Sequence, residues 1–529
     1  MTDFPYPHNT LFYGDNLPIL REHFPDECVD LIYLDPPFNS NRSYNVLFKD
    51  ESGLEAEAQM TAFDDTWHWN HTTAETYQHM IQNAPERVAV MIGAMREFIG
   101  ENQMMAYLVM MAARLVELQR VLKPTGSLYL HCDPTASHYL KIILDTIFGA
   151  NNFRNEIIWK RSTSGSSKAV AKRFGSDHDI IFYYIKSDKA LFNKVYLPYP
   201  EHEIQKRFRR QDEKGRYKDA ELATYSEETL ARLKQENRLI VNPGGKYRYK
   251  IYLSEILGVL ADDIWDDIPP INSQAAERLG YPTQKPLALL ERILLASSKP
   301  GDLVLDPFCG CGTAIAAAQK LGRRWAGIDI THLSVSLIKY RMKGMFPTAT
   351  FDLVGEPQDV ASAHQLAHED RYQFQWWALS LIRARPLGET TSAPGKPQGK
   401  KGSDRGIDGV IMFIDDSSKK PARVLVQVKS GHVGSAIVRD LRGTVERENA
   451  AIGVLITLDE PTADMKKEAA SSGFYTSKIF ERNYPRIQIL SIADLLSGAE
   501  IKMPHTEKGT FKASEKPDID DSNQPTLGI

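Results

Sequence analysis

The sequence predicts an α/β protein in which one doubly wound sheet is interrupted by an insert and followed by a smaller α/β domain. Short apolar runs such as Val29–Leu34 and Leu303–Leu305 alternate with helical patterns in residues 10–150 and again from Leu287 onward. That alternation is typical of a largely parallel sheet covered by helices. Between about 160 and 280 it breaks down, so we expect an insert between the two halves of one sheet.

The first half of the sheet is expected to contain long helices between its strands. The pattern predicts strands at Val29–Leu34 and Ser127–Leu130 and helices at Ala84–Glu97, Met104–Leu122 and His138–Phe148. Met104–Leu122 is the most apolar long stretch, but it carries charged residues at near-helical spacing (Arg114, Glu117, Arg120), which favours an amphipathic helix over a membrane span. We therefore expect no membrane partner.

The rest of the chain continues the α/β pattern after a polar interval. Arg161–Ser167 reads as a loop, and one strand, Asp179–Lys186, stands out in the insert. Beyond it the pattern predicts helices Leu287–Ala296, Thr313–Leu321, Gln373–Ala384 and Ala436–Asn449 and strands Leu303–Leu305, Arg324–Ile330, Gly409–Ile414, Arg423–Lys429, Ile452–Thr457 and Arg486–Leu490. Order weakens around Glu356–His364, and Pro386–Gly402 is a Pro-, Gly- and Lys-rich loop. The predicted domains are 1–160, 161–280, 281–350 and 365–503, with a disordered tail at 504–529.

Composition limits the classes of partner and compartment. The chain has 529 residues, 42% of them apolar, which is enough for two or three cores. Its net charge of −4 gives no global positive field, so contacts with nucleic acid must come from local basic surface. Four cysteines form no disulfide framework, and the N-terminus lacks the charged and apolar regions of a signal peptide. We expect a cytoplasmic protein.

A glycine-rich turn follows the predicted strand Leu303–Leu305. Cys309-Gly310-Cys311-Gly312 leads directly into a helix, and glycines let a backbone pass close to a ligand. Asp329 follows about twenty residues after the turn, where an acidic side chain in such a layer accepts hydrogen bonds from ribose hydroxyls. The pattern favours a nucleoside ligand, although a tight structural turn is the alternative. Cys309 and Cys311 lack a second Cys/His pair and are interpreted as small gap-filling side chains.

A second polar turn, Asp35-Pro36-Pro37-Phe38, follows the predicted strand Val29–Leu34. Parallel strand ends meet at one edge of a sheet, so both turns are expected to line one cleft. Asp35 and a proline carbonyl are acceptors for the two N–H bonds of an amino group, and proline adds no N–H of its own. Phe38 offers a stacking surface for an extruded base, worth about 1–3 kcal/mol. The alternative is a strand-terminating turn with a buried aromatic ring.

Four motifs in one order resemble the beta class of DNA amino-methyltransferases, over residues 10–345. Asp35–Phe38 resembles the catalytic motif of that family and Asp306–Thr313 its S-adenosylmethionine motif. Tyr281–Pro286 is similar to the segment that closes on the methionine end of the cofactor, and Phe12–Leu17 to the motif along its adenine side. The resemblance implies a Rossmann-like methyltransferase sheet and a set of cofactor-binding residues (Asp15, Thr283, Lys285, Pro286, Asp306, Phe308, Gly310, Gly312, Thr313, Asp329).

The same resemblance implies which base is modified. Asp35 favours adenine N6, because the cytosine-N4 members more often carry Ser at that place, and cytosine-N4 methylation is kept as the alternative. Asp329 stands where many relatives have Glu, and the shorter carboxylate still reaches a ribose. The implied catalytic residues are Asp35, Pro36, Pro37 and Phe38.

The insert contains clustered basic residues within the family's recognition region. Lysine and arginine residues cluster within residues 206–218, and in Lys246–Lys250 they alternate with tyrosines. Phosphates require such charge, and base edges require Arg, Asn or Gln. We expect DNA contacts from Arg207, Arg209, Arg210, Lys246 and Arg248. Taken alone, such a run is more often a solvated helix face.

The C-terminal domain carries a polar trio on neighbouring predicted strands. Gln427 and Lys429 alternate to one side of a strand, and Asp408 is expected across from them. A carboxylate that holds Mg²⁺ and a lysine near the attacked phosphate are the minimum for phosphodiester hydrolysis. The arrangement resembles Mrr-type PD-(D/E)xK nucleases over residues 365–500, with Gln427 where an acid is usual. The alternatives are an ordinary solvated sheet face and a degenerate domain that only grips DNA.

Together these patterns predict a site-specific DNA methyltransferase with a fused nuclease-like domain, acting in restriction–modification or phage defence. Its expected cofactors are S-adenosyl-L-methionine and, for the C-terminal domain, Mg²⁺ at Asp408. Its expected partner is double-stranded DNA. A homodimer and further restriction–modification or defence subunits are additional candidates. A non-enzymatic DNA-binding protein that retains the fold is the hypothesis from the interaction class, and the intact Asp35–Phe38 turn speaks against it.

Overall fold

The structure of the protein is a computed structural model. It describes residues 3–37, 43–49, 55–64, 69–161, 177–272, 275, 277–279, 281, 283–386, 407–415 and 421–504. The chain forms two compact units, one at Phe192–Asp263 and one made of the segments before and after it. We call Phe192–Asp263 the inner unit; the predicted insert, 161–280, extends beyond it at both ends.

The first segment alternates strands with helices. Its elements are β1 (Thr10–Tyr13), α1 (Asn16–His23), β2 (Val29–Leu34), β3 (Ser43–Lys49), β4 (Glu55–Asp64), α2 (His71–Asn83), α3 (Glu86–Ile99), α4 (Gln103–Val121), β5 (Leu122–Cys132), α5 (Ser137–Phe148), β6 (Phe153–Lys160) and β7 (His178–Ile185). Asp15, Asn70 and Asn102 cap helices α1, α2 and α4, each accepting a backbone N–H of the first turn.

The inner unit, Phe192–Asp263, is built of short elements. They are β8 (Tyr196–Leu197), α6 (Glu201–Arg207), β9 (Arg210–Asp212), β10 (Gly215–Glu221), α7 (Glu227–Gln235), β11 (Leu239–Val241), β12 (Tyr247–Tyr252) and β13 (Val259–Leu260). Four strands form an antiparallel sheet in the order β11-β12-β10-β9, and β13 pairs with β8. The basic segments of the sequence lie on this sheet and on α6.

The chain then returns to the main sheet. The elements are β14 (Ile264–Trp265), α8 (Leu287–Ser297), β15 (Leu303–Asp306), α9 (Thr313–Lys320), β16 (Arg324–Asp329), α10 (His332–Met345) and β17 (Asp352–Val354). The sheet has the order β14-β6-β7-β5-β2-β15-β16-β1-β17, and β7 is antiparallel to both of its neighbours. β2 from the first half pairs in parallel with β15 from the second half, with Val304 opposite Leu31. The predicted interrupted sheet is confirmed.

Alternate residues of β2 point into two apolar cores on opposite faces of the sheet. Ile32 and Leu34 pack with α4 and α5, whereas Leu31 and Tyr33 pack with α8 and α9. Burial on both faces is the reason why this strand is apolar at every position except Asp30. Because the strand is packed on both faces, its end has a fixed position, and Asp35 follows directly after that end.

The C-terminal domain is a smaller sheet covered by helices. Its elements are α11 (Val360–Glu369), α12 (Arg371–Leu381), β18 (Arg385–Pro386), β19 (Gly409–Ile414), β20 (Pro421–Lys429), α13 (Ser435–Arg447), β21 (Ile452–Thr457), α14 (Ala463–Ser471), β22 (Phe474–Thr476), β23 (Asn483–Pro485), β24 (Ile487–Ser491) and α15 (Ile492–Leu496). Five strands pair in the order β18-β19-β20-β21-β24. The predicted second α/β domain is confirmed.

Two details of this domain differ from the sequence expectation. The stretch where order was expected to weaken contains helix α11, whose N-cap Asp359 bonds to Ser362 in a capping box. The helix expected at Gln373–Ala384 ends at Leu381, because Arg383 takes a positive φ of 55° and the chain turns back on its last turn. The predicted loops at 162–167 and 387–402 and nearly all of the predicted tail lie outside the described residues. Among the described residues, none of the helices combines the length and apolar character that a bilayer crossing requires.

Candidate functional site

The two polar turns meet in one cavity at the carboxyl ends of β2 and β15. Asp35, Pro36 and Pro37 line it from the first turn, and residues 306–311 line it from the second. This is the topological switch point of the sheet, because the chain leaves β2 in the first half and reaches the adjacent strand in the second. Phe38 lies outside the described residues, so its predicted stacking role stays a prediction.

The glycine turn has a backbone that only glycine adopts without strain. Gly310 and Gly312 have φ values of +49° and +75°. A Cβ on Gly310 would lie 3.1 Å from the ring of Tyr281, and a Cβ on Gly312 would lie 2.8 Å from Cγ1 of Ile338. Gly312 is the N-cap of α9, so the free N–H groups of that helix start at the cavity, where Thr313 also lies. This turn, the glycine cradle, therefore requires glycine at both positions, because a side chain at either would collide with Tyr281 or Ile338.

Two carboxylates stand beside this cradle. Asp329, at the end of β16, accepts hydrogen bonds from the Gly310 N–H (2.8 Å) and from the N–H and hydroxyl of Thr331 (both 2.9 Å). Burial raises the pKa of Asp329, and these hydrogen bonds oppose the rise. Burial also raises the pKa of Asp306 well above its usual range, helped by the charges of Asp35 and Asp329. Asp306 bonds to the Phe308 N–H at 3.0 Å, which closes the turn.

Lys285 reaches across the cavity to the Asp35 turn. Its Nζ lies 2.5 Å from Oδ2 of Asp35, and its side chain is 9% exposed. Thr283 lines the same cavity, and Pro286 is buried at the N-cap of α8. The segment that the sequence assigned to the cofactor thus also contacts the residue assigned to catalysis.

Arg114 is a cavity residue that the sequence reasoning missed. It extends from α4 and donates to Oδ1 of Asp15 at 2.6 Å and to the side chain of Asn16. Asn16 in turn donates to the Pro307 carbonyl at 2.7 Å, so it ties the start of α1 to the second turn. The available signal was a charged side chain within the most apolar stretch of the helix, several residues before Glu117 and Arg120.

The polar trio of the C-terminal domain is brought together on β19 and β20. Asp408 precedes β19, and its carboxylate accepts a hydrogen bond from the Val428 N–H at 2.7 Å. This side-chain bond continues the hydrogen bonding between β19 and β20 beyond the end of β19. Gln427 is 7% exposed, and its Oε1 contacts no donor among the described residues. Lys429 is half-buried at the strand end. No group of three or more His, Cys, Asp or Glu side chains suited to a metal ion occurs in the described part of the chain.

A family model described as DNA methylase matches residues 29–339, more than half of the chain. The chain belongs to the DNA methylase family. Its residues 397–496 match a second model, described as NACHT-associated inactive Restriction Endonuclease 1. The first match contains three of the four methylase motifs, and the C-terminal domain matches a separate family.

Individual methyltransferases are similar in sequence to parts of this chain. The type II methyltransferase M.EcaI of Enterobacter cloacae is 32% identical over 249 residues, which cover 42% of this chain and 54% of that protein. The DNA adenine methyltransferase YhdJ of Escherichia coli (strain K12) is 26% identical over 62% of this chain and 81% of its own length. A DNA modification methylase structure from Thermus thermophilus, complexed with S-adenosyl-L-methionine, superposes with a TM-score of 0.33 at 18% identity, over 66% of this chain and 99% of that one. The chain thus spans about half the length of M.EcaI.

The inner unit contains the basic residues that the sequence predicts to contact DNA, and most of them form ion pairs within it. Arg207 pairs with Glu203 at 2.5 Å, and both Arg210 and Arg248 pair with Asp219 at 3.7 and 2.6 Å. Lys246 lies 3.7 Å from Glu221. Arg209 is exposed and makes no ion pair with any described residue. These acids reduce the net positive charge of the surface, and the two short pairs orient the guanidinium groups of Arg207 and Arg248.

Both cysteines of the glycine turn are buried. Cys309 and Cys311 are 5% and 3% exposed, and burial raises the pKa of both thiols. Buried neutral thiols pack as small apolar groups. The interpretation of these cysteines as gap-filling side chains agrees with their burial.

Proposed function

We propose that the chain transfers a methyl group from S-adenosyl-L-methionine to the N6 amino group of adenine in double-stranded DNA. The observation that carries the proposal is the shared cavity of the Asp35 turn and the glycine turn. Family membership over residues 29–339 supports it. Action in restriction–modification or phage defence, in the cytoplasm, belongs to the same proposal.

The cavity suits the cofactor from both ends. The glycine cradle and the start of α9 accept a group that approaches the backbone closely. Asp329 would hold the ribose hydroxyls, and Asp15, fixed by Arg114, would lie along the adenine side. Thr283 and Lys285 would face the methionine end. When bound, the cofactor supplies an electrophilic methyl group.

The Asp35 turn suits an amino group as the acceptor of that methyl. The Asp35 carboxylate accepts one N–H, and the proline segment presents carbonyl oxygens without N–H donors. Drawing both hydrogens toward acceptors frees the nitrogen lone pair for attack. The target base must leave the duplex stack to reach this cavity. Phe38 would stack on that base.

Adenine rather than cytosine is the proposed base. Asp35, in place of the serine more common in cytosine-N4 enzymes, supports this choice, and YhdJ is described as a DNA adenine methyltransferase. Expression in a methylation-free host, followed by modification-sensitive sequencing of the host DNA, tests it. N6-methyladenine at one recurrent sequence is the expected result, and N4-methylcytosine would establish the alternative.

The inner unit is proposed to recognise DNA. Arg207, Arg209, Arg210, Lys246 and Arg248 are all held on its sheet or next to it. Paired arginines with fixed planes suit bidentate contacts to guanine, whereas the unpaired Arg209 suits a phosphate. Arg209→Ala should weaken binding uniformly and lower the salt dependence by about one counterion. A homodimer or association with further restriction–modification subunits is tested by light scattering of the purified chain with and without DNA.

For the C-terminal domain we propose DNA binding without cleavage. The residues present do not fit a magnesium site, because the only acid of the trio already bonds to a backbone N–H and its neighbour is a buried amide. The match to a family described as inactive supports this choice. Mg²⁺-dependent cleavage, the other hypothesis drawn from the sequence, is tested by the last experiment of the Discussion.

A further inference from the structure

A buried chain of polar side chains crosses three strands of the main sheet beside the Asp35 turn. The Tyr33 hydroxyl on β2 lies 3.0 Å from Nδ1 of His131 on β5, and Nε2 of His131 lies 3.2 Å from Oδ2 of Asp179 on β7. The three residues are 2%, 0% and 3% exposed. Arg161 lies 3.3 Å from the other oxygen of Asp179 and is the outer end of the chain.

The direction of the hydrogen bonds follows from the chemistry of the groups. Burial alone would favour neutral Asp179, but the hydrogen bond from His131 and the charges of Lys285 and Arg161 lower its pKa, so it is a carboxylate. A carboxylate only accepts, so a neutral His131 carries its hydrogen on Nε2. Nδ1 is then an acceptor, and the Tyr33 hydroxyl donates to it. The Tyr33 oxygen is left with lone pairs only.

The inner end of this chain lies at the proposed catalytic site. Tyr33 lines the same cavity as Asp35 and stands two residues before it, on the same face of the strand. The negative charges that face Tyr33 belong to Asp35, Asp306 and Asp179, and burial together with these charges raises its pKa well above the usual range. Any group that reaches the Tyr33 oxygen from the cavity meets a hydrogen-bond acceptor, as it does at Asp35.

A buried polar chain of this kind specifies geometry more than it adds stability. Buried polar groups favour one arrangement because every other arrangement leaves a donor or acceptor unpaired. Here the fixed groups are the ends of β2, β5 and β7, from which the catalytic turn extends.

We propose that Tyr33, His131 and Asp179 are positioning residues for amino-methyl transfer, which hold the wall of the base pocket beside Asp35 and keep the Tyr33 oxygen an acceptor. The inference rests on the proposed function, because it assigns these residues to the same cavity. Asp179 acts through His131 by fixing its tautomer, and His131 acts through Tyr33.

The test uses the full chain, tritiated S-adenosyl-L-methionine and genomic DNA from a methylation-free host. Tyr33→Phe should lower kcat about tenfold, the loss of one well-formed hydrogen bond, and leave the cofactor Kd unchanged. Tyr129→Phe is the matched control. Tyr129 lies opposite Tyr33 in the strand register, is 1% exposed and bonds to Ser297 at 2.6 Å, but it is not one of the residues that line the cavity. Its kcat should equal that of the wild type.

Variants of His131 and Asp179 separate positioning from folding. His131→Gln, which keeps a donor and an acceptor, should retain more activity than His131→Leu. Asp179→Asn, which no longer restricts His131 to one tautomer, should lower kcat and leave the cofactor Kd unchanged.

Several results would overturn the inference. One is Tyr33→Phe with the kcat of Tyr129→Phe at an unchanged Tm, and another is His131→Leu with the same kcat as His131→Gln. If His131→Leu fails to fold, Tyr33→Phe still decides, because it removes one oxygen. Absence of methyl transfer by the wild type would instead refute the proposed function and the inference with it.

Discussion

The ammonium group of Lys285 lies 2.5 Å from the carboxylate of Asp35, although 250 positions separate the two residues in the chain. The pair joins the segment before α8, at the proposed methionine end of the cavity, to the proposed catalytic turn. The two proposed subsites of the cavity are therefore in direct electrostatic contact.

Asp35→Ala should remove methyl transfer and change cofactor affinity by no more than a few-fold. The carboxylate is proposed to act on the target amino group, where loss of one positioned polar group typically costs about 10²–10³ in rate. Tritium transfer and calorimetric titration of the cofactor measure the two effects separately. Asp35→Asn keeps the size but not the charge and should show a similar loss. Retained transfer in both variants would remove Asp35 from catalysis.

Arg114→Leu should weaken cofactor binding by about 10–100-fold. It removes charge-assisted hydrogen bonds to Asp15 and Asn16, each worth about 1.5–3 kcal/mol, and so frees the adenine side of the cavity. Arg21→Ala is the matched control, because Arg21 forms an exposed pair with Glu117, also on α4, and such pairs contribute little. Equal cofactor Kd values in the two variants would show that Arg114 is only structural.

Gly312→Ala should destabilise the protein by more than Gly322→Ala does. Both glycines have positive φ, +75° and +69°, so both substitutions incur about 1–2 kcal/mol of backbone strain. A Cβ on Gly312 would also lie 2.8 Å from Ile338, whereas a Cβ on Gly322 would have no atom within 4 Å. Overpacking therefore adds about 1–3 kcal/mol to the cost of Gly312→Ala alone. Chemical denaturation gives the difference. Only the change at 312 should also weaken the cofactor, and equal effects would refute the cradle.

The affinity for the cofactor should fall in mildly acidic solution, at a pH where an ordinary aspartate is still charged. Burial raises the pKa of Asp329, and its protonated form accepts ribose hydrogen bonds poorly. The stability of the fold should depend on pH in the opposite direction. A carboxylate whose pKa is raised by folding stabilises the folded state at low pH, and this contribution is lost as the pH rises through the pKa of the folded state. Calorimetry between pH 5 and 8 tests the affinity. Asp329→Asn should bind about 10–150-fold more weakly and lose this dependence, and an unchanged pH profile in the variant would assign the effect to another group.

The sequence was most informative where apolar runs end in distinctive turns. β2 was predicted with the bounds that the structure gives, and its pairing with β15 follows from two buried strands that end in polar turns. Such strands carry their signal locally, because burial on both faces leaves few alternatives to Val, Ile and Leu. Proline and glycine then mark the strand end.

What the sequence did not predict depends on side chains that are far apart in the chain. The Lys285–Asp35 and Arg114–Asp15 pairs and the Tyr33–His131–Asp179 chain arise only when separate strands and helices meet. Helix α11 was missed because only Ala363 and Leu366 of its ten residues are buried, which leaves almost no apolar periodicity.

The last prediction concerns the C-terminal domain. The wild type should not nick plasmid DNA with Mg²⁺, whether or not the DNA carries the enzyme's own methylation. Asp408→Asn should leave methylation unchanged, because the site lies on a separate sheet. Lys429→Glu should weaken the affinity of the full chain for DNA, measured by electrophoretic shift, because it reverses a charge at a half-buried strand end where a phosphate would bind. Lys478→Glu is the control, because the backbone of Lys478 bonds to Asp415, at the opposite end of β19 from Asp408. Mg²⁺-dependent cleavage that disappears in both Asp408→Ala and Lys429→Ala, and survives in part in Gln427→Ala, would overturn the binding proposal and establish the nuclease.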